Sequence, residues 1–519
     1  MNRFLFFVLT LLATVSMCAH AATFVVTRLD DPAPNGCQPG DCSLREAAIA
    51  ADGNDPFAAR DVIQLGVGTC TLTLGVLPLN QNLEVVGAGS AQTKIVTAGS
   101  LFTTDVHVSL YMHGMTLMTG QYQKFISVLD NLKFDDIVIP AGGGEVYGGG
   151  DSDFVSSVDI SNSELGDVLA CKQNFGTCTI VDSRLADLEV KGLSPGPAVV
   201  VQRSSIDGDL YPNAVTGIIM SAASTITIED SDISNTLYGL LFFENPDGIP
   251  EQFSLRRVSF VGNKRPIEVQ VPATIDIADS EFRDNVTEIN EPGAIWAEAG
   301  SDWHVSGSTF AGNVSAGSTG GAIRVETDAN LLIENSTFSG NSFTAEAAAA
   351  HARGAAIGYR ADPATTSLTL QHVTIVAPTI LPTGIVGTAL GGDGGGTGLS
   401  LTVLNSIVRG TCGLDAGAMD ANLGNIESGG DTCAFGAGNL VGVSSTDLAI
   451  GTLGDHGGLT RTYEPGSNSV ALGAANPAFC LPADQRGYQR AYPDFDGACD
   501  VGAVERGAEE RVFADGFEG

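Results

Sequence analysis

Basic residues are scarce in this chain. Its 519 residues include 25 Lys and Arg against 60 Asp and Glu, a formal net charge of −35 at pH 7. A surface this acidic repels phosphate groups, which excludes a protein that holds nucleic acid through its backbone. Aromatic residues are also few, at 7% of the chain, whereas Gly occupies 65 positions. This balance is typical of a β-rich protein with many turns.

Two further absences narrow the classes of function. After residue 21 no apolar run is long enough to cross a bilayer as a helix, so we expect no transmembrane segment in the mature protein. The chain also lacks His-Glu-x-x-His and Cys-x-x-Cys, the spacings found in many zinc enzymes and structural zinc sites. The seven His are scattered along the sequence. No residue is predicted to be catalytic.

What the chain does contain is a repeat with two alternating phrases. The first phrase, Phe-x-x-Asn, begins at Phe260, Phe282, Phe310 and Phe338. The second phrase, Gly-Ala-Ile or Gly-Ala-Ala-Ile, ends at Ile295, Ile323 and Ile357. Short β-rich segments that recur at a fixed period, with no helical pattern between them, indicate a solenoid of β-strands.

The repeat predicts an all-β fold, a right-handed parallel β-helix. Equivalent residues of neighbouring coils lie about 4.8 Å apart, so the Phe residues should stack in the core and the Asn residues should form a ladder at a bend. Weaker copies extend the pattern, and we place the β-helix at residues 96–410, with about 26 residues per coil. A short-helix cap should precede it and a disulfide-containing cap should follow.

The N-terminus and the cysteines indicate export. Residues 1–21 have a basic start, an apolar stretch and a small-residue cleavage site, as in a signal peptide. Exported chains oxidise neighbouring cysteines. We therefore expect four disulfides, with Cys70 left over. The expected pairs are Cys37–Cys42, Cys171–Cys178, Cys412–Cys433 and Cys480–Cys499.

The residues Cys42-Ser43-Leu44-Arg45-Glu46-Ala47 lie within the predicted N-terminal cap, residues 22–95. Ser43 and Glu46 have the spacing of a capping box, which predicts a helix starting here. The six-residue sequence resembles the signature of the CSLREA domain, found at the N-terminus of exported bacterial β-helical proteins. The resemblance implies that the segment covers the first coil.

Residues 411–505 form the predicted C-terminal cap. Within them, Leu453-Gly454-Asp455-His456-Gly457-Gly458 and Cys499-Asp500-Val501-Gly502 are similar to the choice-of-anchor Q domain that ends many such solenoids. Residues 506–519 resemble the short sorting tails of some Gram-negative exported proteins. The Phe-x-x-Asn repeats also resemble the passengers of polymorphic outer-membrane adhesins. Together these resemblances imply an extracellular or cell-surface location.

Two groups of charged residues are candidate ligand or metal sites. Glu298, Glu326 and Arg360 each follow the Ile of the second phrase by three residues, which places them in adjacent coils. They form an ion-pair ladder, a calcium site or a catalytic group. Asp494, Asp496 and Asp500 alternate around a Gly turn. They form a calcium loop or an Asp-rich turn tied by Cys480–Cys499.

These patterns favour a binding or structural protein, acting as an adhesin for glycans or a host surface. The alternative is a calcium-assisted polysaccharide lyase or hydrolase acting on acidic glycans. The fold does not decide between them. Carboxylates that converge with Arg or Lys in an open cleft would favour the enzyme, and a broad polar face without such convergence would favour the adhesin.

Overall fold

The structure of the chain is a computed structural model. It describes residues 21–53, 60–103, 108–118, 124–126, 131–142, 145–148, 156–172, 176–191, 196–210, 216–221, 225–243, 250–287, 291–298, 300–317, 319–344, 353–360, 366–378, 388–392, 399–490 and 498–507. The strands wind into a stack of coils, and every strand pairs in parallel with its equivalents in the coils above and below. Each coil contributes to up to three faces, which we call sheet 1, sheet 2 and sheet 3.

Four long strands bend from sheet 1 into sheet 2, and two bend from sheet 2 into sheet 3. The first four are Ser109–Met118, Asn131–Ile139, Thr225–Ser234 and Glu251–Val261, and the other two are Glu164–Lys172 and Arg184–Lys191.

The other strands belong to one sheet each. Sheet 1 contains Thr23–Val25, Asp61–Gln64, Leu83–Val86, Ser156–Ser161, Gly176–Val181, Ala198–Gln202, Ala273–Ala278, Ser301–Ser306, Asn330–Glu334, Thr366–Gln371, Leu399–Leu404 and Met419–Leu423. Sheet 2 contains Gly68–Leu72, Thr93–Thr97, Ser205–Asp207, Glu281–Arg283, Thr309–Ala311, Thr337–Ser339, Thr374–Val376, Ile407–Arg409, Ile426–Ser428 and Leu440–Val443.

Sheet 3 follows the same order. It contains Leu77–Pro78, Phe102–Thr103, Lys124–Ile126, Glu145–Gly148, Gly217–Met220, Tyr238–Phe242, Arg265–Val269, Ile295–Ala297, Ile323–Glu326, Ile357–Arg360, Leu390–Gly392 and Cys412–Gly413. A separate pair joins Val314–Ser315 to Ser342–Phe343. The helices are Leu44–Asp52, Ser445–Leu448 and the short 3-10 turns Gly208–Leu210 and Pro477–Phe479. The ladder therefore starts before residue 96 and continues past residue 410.

The repeated phrases occupy the positions that the stacking argument requires. The rings of Phe260, Phe282, Phe310 and Phe338 are fully buried and lie parallel, with centroids 4.7 Å apart. The Asn residues form a second stack, in which each side chain bonds the next at intervals of 22 or 28 residues. Their amides also satisfy strand carbonyls that the bend would leave unpaired.

The bend between sheets 1 and 2 needs a residue in the left-handed region in almost every coil. Asp136, Asn162, Asp182 and Asn405 adopt φ of 49° to 51° there. Asn and Asp tolerate this conformation because their short side chains bond the local backbone. The same bend exposes one polar side chain per coil and creates a ridge along the molecule.

The N-terminal end is covered by the helix Leu44–Asp52. Ser43 and Glu46 form a reciprocal capping box, and the helix buries Leu44, Ala47 and Ala48 against the first coils. Arg45 forms an ion pair with buried Asp31 at 2.7 Å and donates to the carbonyl of Gly75. The charged residues of the six-residue sequence therefore fasten a cap to the first coils.

The C-terminal end of the core is closed by the loop of residues 429–439. Cys433 and Phe435 of this loop are buried in the main core, and Cys433 is bonded to Cys412. Glu427 is fully buried and accepts hydrogen bonds from the Thr432 and Cys433 amides, which shapes the loop. The last strand, Leu440–Val443, leaves Leu440 43% exposed.

Residues 445–507, which we call the strap, turn back along the outside of the coils. They lie against sheet 2 and the ridge. Thr309 donates to the carbonyl of Arg461 at 2.6 Å, Thr337 donates to Gln485 at 2.6 Å, and the amide of Ala503 donates to Thr374 at 2.9 Å. Most of the predicted C-terminal cap is thus a lateral brace. The part that closes the core is the Cys433 loop.

The structure contains disulfides at all four expected pairs. Cys70 has a free thiol, whose pKa is raised to about 11 by burial. In the described ranges, no helix has both the length and the apolar character needed to span a membrane.

Candidate functional site

The outer face of sheet 1 carries a groove of about 440 Å³ near the N-terminal end. The strand register builds it, because Glu84, Tyr111 and Lys133 occupy one row across three coils. His113 and Asp135 occupy the adjacent row, two residues further along their strands. Successive side chains of a strand point to opposite faces, so these five residues share the outer face.

The core side of the same strands fixes this arrangement. Val85, Met112 and Phe134 alternate with the groove residues and are buried completely or nearly so. A shift of register by one residue would exchange the buried and exposed sets, at the cost of the buried apolar area. The groove residues are therefore held on a rigid sheet.

Opposite charges meet inside the groove. Glu84 lies 3.2 Å from His113 Nε2 and 3.6 Å from the Arg60 guanidinium. Arg60 also covers one side of the Tyr111 ring, with Cζ 3.5 Å from the ring centroid. About a third of each charged side chain in this group is exposed to solvent. The groups are paired with one another yet accessible to a ligand.

Asp135 lies in the second row of the groove and is held in its ionised form. It accepts hydrogen bonds from Asn162 at 2.7 Å and Ser161 at 2.9 Å. These bonds, followed by the charges of His113 and Lys133, lower the pKa of Asp135 below its usual value. The groove thus combines two carboxylates with Arg60, Lys133, an imidazole and a phenol.

The predicted group Glu298, Glu326 and Arg360 lies on the outer face of sheet 3. Glu326 pairs in register with Arg360, and Glu298 follows a strand whose register with the Glu326 strand places it one coil away. The structure therefore brings the three residues into one row. Sequence analysis missed Arg324, which lies on the same face and bonds Glu326 at 2.6 Å.

Burial governs the protonation of this row. The pKa of Glu298 is raised to about 7 by burial, and the charges of Glu268 and Glu326 add to the shift. Burial also raises the pKa of Glu326, whereas Arg324 and Arg360 oppose the shift. The row alternates acids and bases across coils, which is the geometry of an ion-pair ladder.

The third predicted group lies mainly outside the described residues, which do not include Asp494 and Asp496. Asp500 is buried, and it accepts hydrogen bonds from the amides of Gly473 and Arg506. It therefore organises a turn of the strap. In the described part of the chain, the one group of at least three metal-binding side chains with ligand atoms within 4.8 Å is His372, Cys480 and Cys499.

A family model described as a right handed beta helix region matches residues 213–389. Together with the parallel ladder, this match decides the fold. The chain folds as a right-handed parallel β-helix. No curated protein sequence matches it.

Two solved structures are similar over most of their length. Pectate lyase Pel9A is 11% identical, with coverage of 94% of this chain and 98% of the lyase and a TM-score of 0.27. The A-module of the Azotobacter vinelandii mannuronan C-5 epimerase AlgE6 is 12% identical, with coverage of 77% of this chain and 92% of the module and a TM-score of 0.21. Scores this low carry no argument about the function of the β-helix.

Proposed function

We propose that this β-helix is an exported glycan-binding protein and that the sheet 1 groove is its binding site. The observation that carries the proposal is the convergence of Tyr111, Lys133 and His113 with two carboxylates in an open groove on a rigid sheet. Sugar hydroxyls donate well to carboxylates such as Glu84 and Asp135, and a Tyr ring offers an apolar surface to a sugar ring.

The cations of the groove favour an acidic glycan. Arg60 and Lys133 stand on a protein whose net charge is −35, so they provide a local positive site for a carboxylate or sulfate group. The resemblances of the N-terminal and C-terminal segments to CSLREA and choice-of-anchor domains support action outside the cell or at the surface of a Gram-negative bacterium. On this proposal the β-helix is an adhesin that recognises surface glycans.

A second function is favoured by the same convergence. A polysaccharide lyase needs cations that neutralise a sugar carboxylate, a base that removes the proton from the adjacent carbon and an acid that protonates the departing oxygen. Lys133 and Arg60 would fill the first role, and His113 and Tyr111 would fill the other two. The described carboxylates form no group close enough to hold calcium, so this candidate rests on the side chains themselves.

A glycan array with residues 22–519 separates the two functions. Binding is recorded with and without calcium, and each hit is then incubated and assayed by ultraviolet absorbance for unsaturated sugar ends. We expect binding to carboxylated or sulfated glycans that is lost in Lys133→Met. Release of unsaturated ends would establish the lyase, and binding without release would establish the adhesin.

The control variant is Thr227→Ala, because Thr227 lies in the same outer row of sheet 1, several coils from the groove. This substitution should leave every hit unchanged. A chain that binds no glycan on the array, or that binds equally well as Lys133→Met, would contradict the proposed site.

A further inference from the structure

The strap meets the ridge at a cluster of three metal-binding side chains. His372 comes from the bend between sheets 1 and 2, whereas Cys480 and Cys499 come from the strap. Their ligand atoms all lie within 4.8 Å of one another, and Cys499 Sγ is 3.7 Å from His372 Nε2. Two segments separated by more than 100 residues are thus joined at one buried point.

The hydrogen bonds around His372 direct a lone pair toward the sulfur atoms. Asn405 Oδ1 accepts from the amide of Asn476 at 2.7 Å, so Asn405 Nδ2 is the donor 3.2 Å from His372 Nε2. Nε2 is then an acceptor, and Nδ1 carries the proton and donates to the carbonyl of Gly502 at 3.2 Å. A metal-bound His is oriented by this kind of bond from its other nitrogen.

The cluster is rich in electron pairs. The carbonyl oxygen of Phe479 also lies 3.2 Å from His372 Nε2, but a neutral imidazole has one N–H and cannot donate to both carbonyls. His372 is fully buried, and Cys499 is buried with it. Two sulfurs, an imidazole lone pair and a carbonyl oxygen therefore face a common centre, an arrangement that a cation would stabilise.

From this geometry we infer that the reduced protein holds one thiophilic divalent cation, such as Zn²⁺, between His372, Cys480 and Cys499. A dithiol reductant transfers two hydrogen atoms to the Cys480–Cys499 disulfide and becomes a disulfide itself. The cation then displaces one proton from each new thiol and binds both thiolates and Nε2. Two Cys and one His are a ligand set that Zn²⁺ accepts.

The inference gives the cluster a role in both redox states. When the sulfurs are oxidised, the disulfide closes the strap loop beside His372. When they are reduced, the cation links the same loop directly to the ridge. The strap therefore stays fastened to the coils under reducing conditions when the metal is present, and it loosens when the metal is absent.

The test uses Cd²⁺ as the probe, because its thiolate complexes absorb in the ultraviolet. The full mature chain is reduced with dithiothreitol, desalted without oxygen and titrated, with circular dichroism recorded to establish that the β-structure persists. We expect a saturable band at one equivalent per chain. His372→Asn, which keeps both thiols, should bind at least about tenfold more weakly.

The double variant Cys480→Ser/Cys499→Ser should lose the saturable band, whereas Cys171→Ser/Cys178→Ser should keep it. Persistence of the band in the first variant, or equal affinity in His372→Asn, would overturn the inference. Alkylation followed by mass spectrometry provides a second measurement on the unsubstituted chain. Cd²⁺ should protect Cys480 and Cys499 but not Cys171 and Cys178, and equal modification of both pairs would also overturn it.

Discussion

Substitution of Asn313 tests whether the buried Asn ladder holds the coils together. Asn313 Oδ1 accepts from the side chain of Asn285 at 2.8 Å and from its backbone amide at 3.4 Å. Its Nδ2 donates to the carbonyl of Phe282 and to Asn341 Oδ1, both at 2.9 Å. Asn313→Ala therefore removes four hydrogen bonds in the core. At roughly 1 kcal/mol for each, the free energy of unfolding should fall by about 4 kcal/mol.

Asn313→Asp gives a sharper result because it changes one atom. The new oxygen replaces a donor and faces two acceptors, the Phe282 carbonyl and Asn341 Oδ1. The buried carboxyl must then bind a proton to remain in place, so its pKa in the folded state lies above its unfolded value. Stability is kept below the unfolded pKa and is lost as the pH rises through the folded pKa, by up to about 1.4 kcal/mol per pH unit.

The assay is urea denaturation of the unsubstituted chain and both variants at pH 4 and pH 7, with each variant compared with the unsubstituted chain at the same pH. Asn313→Asp should be destabilised more at pH 7 than at pH 4, whereas Asn313→Ala should show the same loss at both. The control Asn330→Ala removes an exposed residue of sheet 1 and should change stability by less than about 0.5 kcal/mol. An equal loss for Asn313→Asp at both pH values would refute the role assigned to the ladder.

Three further predictions concern the core, the strap and sheet 3. Phe310→Ala should lower the free energy of unfolding by about 3–5 kcal/mol, because Phe310 is fully buried between two stacked rings; a loss below about 1 kcal/mol in urea would contradict the stack. Arg490→Met leaves Glu505 buried without its cation, so the strap should be cleaved faster by protease, and an unchanged cleavage rate would oppose this. Glu298 has a pKa of about 7, so the unsubstituted chain should lose stability between pH 5 and pH 8, and Glu298→Gln should reduce that loss; thermal denaturation with equal pH dependence in both chains would contradict the burial of this carboxyl.

The sequence predicts the middle of the β-helix well because identical residues recur there. Phe310 and Asn313 each have equivalents at a fixed distance, so their stacking follows from the period alone. The row of Glu298, Glu326 and Arg360 could be found for the same reason, since each residue follows a repeated Ile. Arg324 follows the same Ile by one residue and could have been included.

The groove could not be predicted, because its coils carry no recognisable repeat. Glu84, Tyr111 and Lys133 are three different residues in segments of unlike sequence, and their meeting depends on strand register. Register in these coils is set by which apolar residues are buried. The strap was missed for a related reason, since Gln485 bonds a residue 148 positions away and no local pattern marks such a contact.

The most direct test of the account is a calorimetric titration of the best acidic glycan from the array into the unsubstituted chain, Lys133→Met and Thr227→Ala. If the sheet 1 groove is the binding site, affinity will fall at least about tenfold in Lys133→Met, which corresponds to about 1.4 kcal/mol, and will be unchanged in Thr227→Ala. Equal affinity in all three chains would show that the glycan binds elsewhere and would contradict the account.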